Sequence, residues 1–175
     1  MLEIVFKLVI MLKTKIIKDN FLNKTDLNNI KDLLLSNNFP WFYSNTQVKA
    51  KKDCSYFFHS FFNNNRPNSN YLNALQPILD TLKPVALINI RANLMIKKPN
   101  SNSNYHIDGQ GARTAIFYVN TNNGCTEFKQ DQKRVKSVEN RMLIFSSGLT
   151  HRAIGQTDTD QRIVINFNYY DGPQK

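Results

Sequence analysis

The sequence predicts a mainly β protein of the α+β class, in which a curled antiparallel sheet of jelly-roll type carries helices on its outer face. Three observations lead there. Apolar residues recur at helical spacing in two segments before residue 84. After Pro84 the period changes to two, in short strands separated by turn-forming stretches. The order, helices first and closely spaced strands afterwards, argues for helices covering a curled sheet. With 175 residues, the chain reads as a single domain over 1–175, with a helical and aromatic part at 1–84 and the jelly-roll core at 85–170.

The first helix is expected from Thr25, a capping residue, through Leu27, Ile30, Leu33, Leu34 and Leu35, closing at Ser36-Asn37-Asn38 ahead of Pro40. A second is expected from about Ser69 to Leu82, with Leu72, Leu75, Ile78, Leu79 and Leu82 on one stripe and Pro84 ending it. Between them lies an aromatic stretch, Trp41 to Phe62. Residues 63–70 and 98–104 are loop-forming, and loops such as 41–70 and 97–105 are expected to choose a substrate. In the strand after Pro84, Ile88, Ile90, Ala92, Leu94 and Ile96 point one way, and Asn89, Arg91, Asn93 and Met95 the other. The alternation returns at 114–119, 141–145 and 162–169. Arg134 and Lys136, beside Val135, read as solvated charge on a surface strand.

Composition bounds the function classes. Hydrophobic residues make up 41% and charged residues 21%, the balance of a soluble globular protein rather than a disordered or membrane one. Cys54 and Cys125 stand far apart and neither sits at zinc-finger spacing, so a reducing, cytoplasmic setting is expected without disulfides or structural zinc. The apolar residues 1–10 lack a basic leader, a small-residue cleavage site and spanning length; they read as an extra strand or an overlong start, with Met11 as a second candidate start. The net charge of +10 attracts acidic partners. Lysines spread among asparagines, with no basic-aromatic motif, disfavour a dedicated nucleic-acid surface while leaving it open.

The chemistry concentrates in a few residues. On a strand, His106-Ile107-Asp108 presents an imidazole and a carboxylate to one point. His151 follows the turn after Phe145 and can swing back to the same point. Two imidazoles and one carboxylate suit Fe(II), because such a set leaves metal positions open, whereas structural zinc takes a closed site. Arg162, eleven residues after His151, shares a strand face with Val164, Asn166 and Asn168 and offers a planar fork for a carboxylate. Tyr118 shares a face with Thr114 and Ile116, while Ala115, Phe117 and Val119 are expected under the helices. It either adds a donor to the site or fills the barrel with its hydroxyl on a backbone carbonyl. Arg91 and Asn93 face the same cavity, to touch cosubstrate or substrate or simply to bond neighbouring strands. His59, among aromatics, reads as a packed residue rather than a further ligand.

His106-Ile107-Asp108, His151 and Arg162, with the Gly111–Asn120 segment between them, resemble the core of the 2-oxoglutarate and Fe(II)-dependent oxygenases, the prolyl-4-hydroxylase-like group especially, over residues 85–170. The resemblance implies a double-stranded β-helix of cupin type, with iron on His106, Asp108 and His151 and the 2-oxoglutarate tail on Arg162. It also implies O2 as co-reactant, with ascorbate left open. It suggests that Tyr118 is a cosubstrate-binding tyrosine. Gly124-Cys125-Thr126-Glu127-Phe128 looks like a Gly-Gly-Thr-like strand start, from which Cys125 departs. Halogenases of this fold lose the carboxylate, so Asp108 favours hydroxylation. Alkylation-repair demethylases carry a second arginine six residues after the first, where this chain has Asn168, and base repair is disfavoured. The implied activity is that of an oxidoreductase that hydroxylates a C–H bond while 2-oxoglutarate is decarboxylated to succinate. A prolyl or other peptidyl side chain is the first guess for substrate, with small molecules open. Two rivals stand beside it: a non-catalytic jelly-roll module that keeps the metal site, and a cupin-like metalloenzyme without 2-oxoglutarate, which would not need Arg162.

Overall fold

The structure is a computed structural model that describes residues 15–44, 56–99 and 101–172. The apolar residues 1–10, Met11 and Cys54 lie outside the described residues.

Helix α1 spans Lys24–Leu35 and begins earlier than Thr25 would have it. The cap is Asn23, whose Oδ1 accepts from the Asp26 backbone N–H at 2.9 Å while its Nδ2 donates to the Asp26 carboxylate at 2.7 Å. Asparagine is the better cap, and this reciprocal pair satisfies an orphan donor. Leu27, Ile30 and Leu34 are buried, but Leu35 is 47% exposed, one step round the helix from the stripe. The second helical segment splits into a 3-10 turn, Leu72–Leu75, and helix α2, Gln76–Leu82. Pro77 explains the break: it has no N–H to bond the turn before it, and fits only where a helix starts. Lys83, with φ 50°, closes α2 in the left-handed region just before Pro84.

Most of the strands form one large antiparallel sheet. They are β1 (Ile16–Lys18), β2 (Phe42–Ser44), β3 (Tyr56–Asn63), β4 (Arg66–Pro67), β5 (Ala86–Ile96), β6 (Arg113–Tyr118), β9 (Arg141–Ser146) and β11 (Gln161–Tyr170). Their order is β1-β9-β6-β11-β5-β3-β2, with β4 on β3. The smaller sheet runs β10-β7-β8, from β7 (Cys125–Phe128), β8 (Arg134–Lys136) and β10 (His151–Ile154). The aromatic stretch thus supplies strands, β2 and β3, and residues 63–66 make the tight turn that joins β3 to β4. Asn64 and Asn65 adopt φ 52° and 58° there, the left-handed pair that such a hairpin needs.

The large sheet has two apolar faces, each matched by the alternation in the sequence. Its outer face packs Ile90, Ala92, Ala115, Phe117, Ile163, Ile165 and Phe167 against Ile30, Leu34, Leu75 and Ile78 of the helical layer. Its inner face packs Ile116, Tyr118, Leu143, Phe145 and Val164 against Phe128 and Val135 of the small sheet. Along β5, β6 and β11 the inner face turns polar and opens into a cavity of about 320 Å³. Among the described residues, no helix is long and apolar enough to cross a membrane.

Candidate active site

The His106-Ile107-Asp108 segment belongs to no regular strand, a correction to the strand expected there. His106 makes one isolated bridge to His151, with backbone N–H···O bonds of 2.9 Å in both directions. The Asp108 N–H then reaches Ser147 O at 3.0 Å. These bonds hold the segment extended, so Ile107, 45% exposed at the cavity rim, points away from the His106 and Asp108 side chains, which share the other side. The bridge also fixes His151 beside them, at the first residue of β10.

His106 Nε2 lies 3.6 Å from Asp108 Oδ1, and His151 Nε2 lies 3.8 Å from Asp108 Oδ2. Ligand atoms from all three lie within 4.8 Å of one another. Each imidazole is oriented by a carbonyl, which can only accept: His106 Nδ1 bonds Asn104 O at 3.0 Å and His151 Nδ1 bonds Leu149 O at 2.9 Å. Both Nδ1 atoms therefore carry the proton, and both Nε2 lone pairs face the carboxylate. Burial against Phe145 pushes the His151 imidazole below its ordinary pKa, towards the neutral form a ligand requires.

Asp108 is held in turn. Its Oδ2 accepts from Thr114 Oγ1 at 2.7 Å and Asn168 Nδ2 at 3.1 Å, which leaves Oδ1 to point at a metal. Thr114 and Asn168 are direct register partners on β6 and β11. Sequence reasoning put both on the cavity face without seeing this role; a polar residue on each of two strands whose other face is apolar was the available signal. Removing either support, as Thr114→Val or Asn168→Ala, is expected to weaken Mn(II) affinity by about 10–100-fold. Titration calorimetry on the two variants checks this, and unchanged affinity in both would count against the arrangement.

Arg162 stands deeper on the same wall, only 2% exposed. Its Nε donates to Ser137 Oγ at 2.8 Å, Nη1 lies 3.4 Å from Met95 Sδ, and the guanidinium sits 5.8 Å from the Tyr118 ring centre. Among the described residues no carboxylate pairs with it, and burial lowers its pKa. A buried cation without a counter-ion is unfavourable until an anion arrives. Gly124 makes room for it, since a Cβ there would come within 2.8 Å of Arg162 Cδ. Gly124→Ala is therefore expected to displace the guanidinium and weaken carboxylate binding several-fold, read as a raised KM for 2-oxoglutarate at an unchanged far-ultraviolet spectrum.

The remaining expected site residues divide. Arg91 and Asn93 line the cavity. Tyr118 is fully buried between the sheets and its hydroxyl donates to Thr126 Oγ1 at 2.7 Å, rather than to a carbonyl. Burial pushes its phenol up to about 12. Thr126, unlike Tyr118, is among the cavity-lining residues. His59 lies outside the cavity, with Nδ1 on Pro40 O at 2.8 Å, Nε2 on Ser69 Oγ at 2.7 Å and the rings of Phe39 and Phe61 around it. Arg134 is not mere solvated charge. It pairs at 2.9 Å with Glu127, whose carboxylate is almost wholly buried and also takes Arg152 and the Tyr105 hydroxyl. An inward Glu at that position needs this shell, which three separate segments supply.

No protein-family model and no curated protein matches this chain. Solved structures do. A prolyl hydroxylase from Trichoplax adhaerens, in complex with a hypoxia-inducible-factor peptide fragment, aligns over 97% of this chain and 92% of its own at TM-score 0.68 and 13% identity. This is the fold of the 2-oxoglutarate and Fe(II)-dependent oxygenases. A Pseudomonas putida prolyl-4-hydroxylase shares that oxygenase fold over 97% of this chain and 98% of its own, at TM-score 0.56 and 14% identity. The α-ketoglutarate-dependent epimerase SnoN from nogalamycin biosynthesis covers 98% of this chain and 84% of its own, at TM-score 0.66 and 14% identity. The double-stranded β-helix and the prolyl-4-hydroxylase-like layout expected from the sequence are thus present.

Proposed function

We propose that the protein is a non-haem Fe(II) and 2-oxoglutarate-dependent dioxygenase that hydroxylates a C–H bond. One observation carries the reading: three ligand side chains with their free lone pairs turned to one point, and an unpaired buried arginine in the same cavity. The donor set of two imidazoles and a carboxylate suits Fe(II) and leaves positions for a chelating cosubstrate and O2. His106, Asp108 and His151 hold the metal, and Thr114 and Asn168 keep the carboxylate turned towards it. Arg162 binds the far carboxylate of 2-oxoglutarate, with Thr126 of the small sheet also lining the cavity and the Tyr118 hydroxyl bonded to it. Iron, when bound, supplies the redox chemistry. The balanced reaction takes substrate C–H, 2-oxoglutarate and O2 to substrate C–OH, succinate and CO2. The protein's own task is to bind, orient and shield.

A prolyl or other peptidyl side chain is the substrate class we favour; likeness to a peptide-bound prolyl hydroxylase supports it, and likeness to SnoN keeps small molecules in view. A reducing, cytoplasmic setting agrees with the free, buried Cys125. Anaerobic loading with Fe(II) and 2-oxoglutarate followed by O2 tests the reading: succinate release, with substrate or uncoupled, is the expected result. Folded, iron-loaded protein that releases none would be a binding module instead. A gain of one oxygen by mass spectrometry then identifies substrates.

A further inference from the structure

Beside the cavity of the proposed metal site lies a second one, of about 350 Å³, and the two share Asn89 and Arg91. Among the described residues lining either cavity, Asp108 is the only acid, against three arginines, Arg91, Arg152 and Arg162. Arg152 has a carboxylate partner in Glu127 at 2.9 Å, which it shares with Arg134. Arg162 serves the cosubstrate in the reading above. Arg91 is left over.

Its surroundings among the described residues fix it without compensating it. Nη2 donates to the Tyr56 hydroxyl at 2.7 Å, and the guanidinium lies 4.0 Å over the Phe58 ring, so one face and one nitrogen are used and Nη1 and Nε are left for in-plane bonds. Nε is buried with no hydrogen-bond partner. Across the register of β5 and β11, Arg91 faces Asn166, whose Oδ1 is buried and unpartnered as well. Orphaned buried polar atoms are rare. Here a donor and an acceptor stand side by side on a cavity wall, next to an uncompensated positive charge. A neutral ligand would satisfy the asparagine and leave the charge.

We propose that Arg91 and Asn166 form a subsite for an oxyanion, a carboxylate or a phosphate, carried by the primary substrate, with a neighbouring N–H or O–H of that substrate donating to Asn166 Oδ1. The substrate reaches it from the second cavity, whose other lining groups are uncharged. The net charge of +10 raises the local concentration of such an acid. The assignment rests on the oxygenase reading only in giving Arg162 to the cosubstrate.

The test follows the Arg91 Nε–H resonance of 15N-labelled protein, assigned by its loss in R91Q, during titration with benzoate, phenyl phosphate and benzamide. The expected result is a saturable shift with one or both oxyanions and none with benzamide, and the tighter of the two names the anion. Calorimetry should show benzoate or phenyl phosphate binding at least tenfold weaker in R91Q, and equally in N166D, where the new carboxylate takes the guanidinium for itself and repels the probe. Equal responses to benzamide, or a shift that saturates at lower 2-oxoglutarate than at either oxyanion probe, would overturn the subsite. A parallel arm with Zn(II) and 2-oxoglutarate follows Arg162. Silence there, with the Arg91 response intact, would sink the oxygenase reading and leave the oxyanion subsite standing.

Discussion

Asp108→Ala protein, loaded with Fe(II) and 2-oxoglutarate under air, is expected to release no succinate above background, and His106→Ala the same. Each change removes one of three ligands, and the loss of metal affinity should exceed the about 10–100-fold typical of losing a supporting group. The Asp108 case is the more informative. Its side chain is 15% exposed, at the rim of the cavity rather than in the apolar layers, so the apo protein should unfold within about 2 kcal/mol of the parent. Activity is lost while the fold persists. The imidazoles would remain, held by Asn104 O and Leu149 O, and a two-histidine site should still take Zn(II) weakly. Full succinate production by either variant would remove these residues from the metal site and the oxygenase proposal with them.

Arg162→Met is expected to act with opposite signs on function and stability. A charge-assisted hydrogen bond contributes about 1.5–3 kcal/mol, so losing the guanidinium should raise the KM for 2-oxoglutarate by about 10–150-fold. The apo protein should hold its stability or gain about 1–4 kcal/mol, because a well-packed apolar side chain replaces a buried cation without a carboxylate. The losses on that side are the bond to Ser137 Oγ and the weaker one to Met95 Sδ. Paired measurements, steady-state kinetics over a 2-oxoglutarate series and urea unfolding of the apo form, read both. Unaltered turnover at low 2-oxoglutarate would favour a cupin-like metalloenzyme that does not use this cosubstrate.

Much of this was legible in the chain itself. The faces of β5, β6 and β11 were set by alternation: Ile90 and Ala92 pack under helices while Arg91 and Asn93 line the cavity, as expected from residues one apart. The helix stripes were legible for the same reason; Leu35 fell outside only at a stripe edge, and the second helix starts late, at Gln76, where Pro77 overrides periodicity. The metal-ligand candidates were visible as residue types with a distinctive spacing, even though His106 and Asp108 turned out to sit on extended backbone outside any strand.

Local periodicity is written by neighbours in sequence, and so the amino-acid order alone determined the layers, their faces and the side chains available for chemistry. Only the tertiary structure decided which of these meet. Asn168 reaches Asp108 across 60 residues, Arg91 meets Tyr56 across 35, and Arg162 finds Ser137 across 25. Glu127 is tolerated inside because Tyr105, Arg134 and Arg152 converge on it. Such partners are selected by strand register and by the requirement that buried polar groups be satisfied, and both act between segments that the linear pattern leaves unconnected.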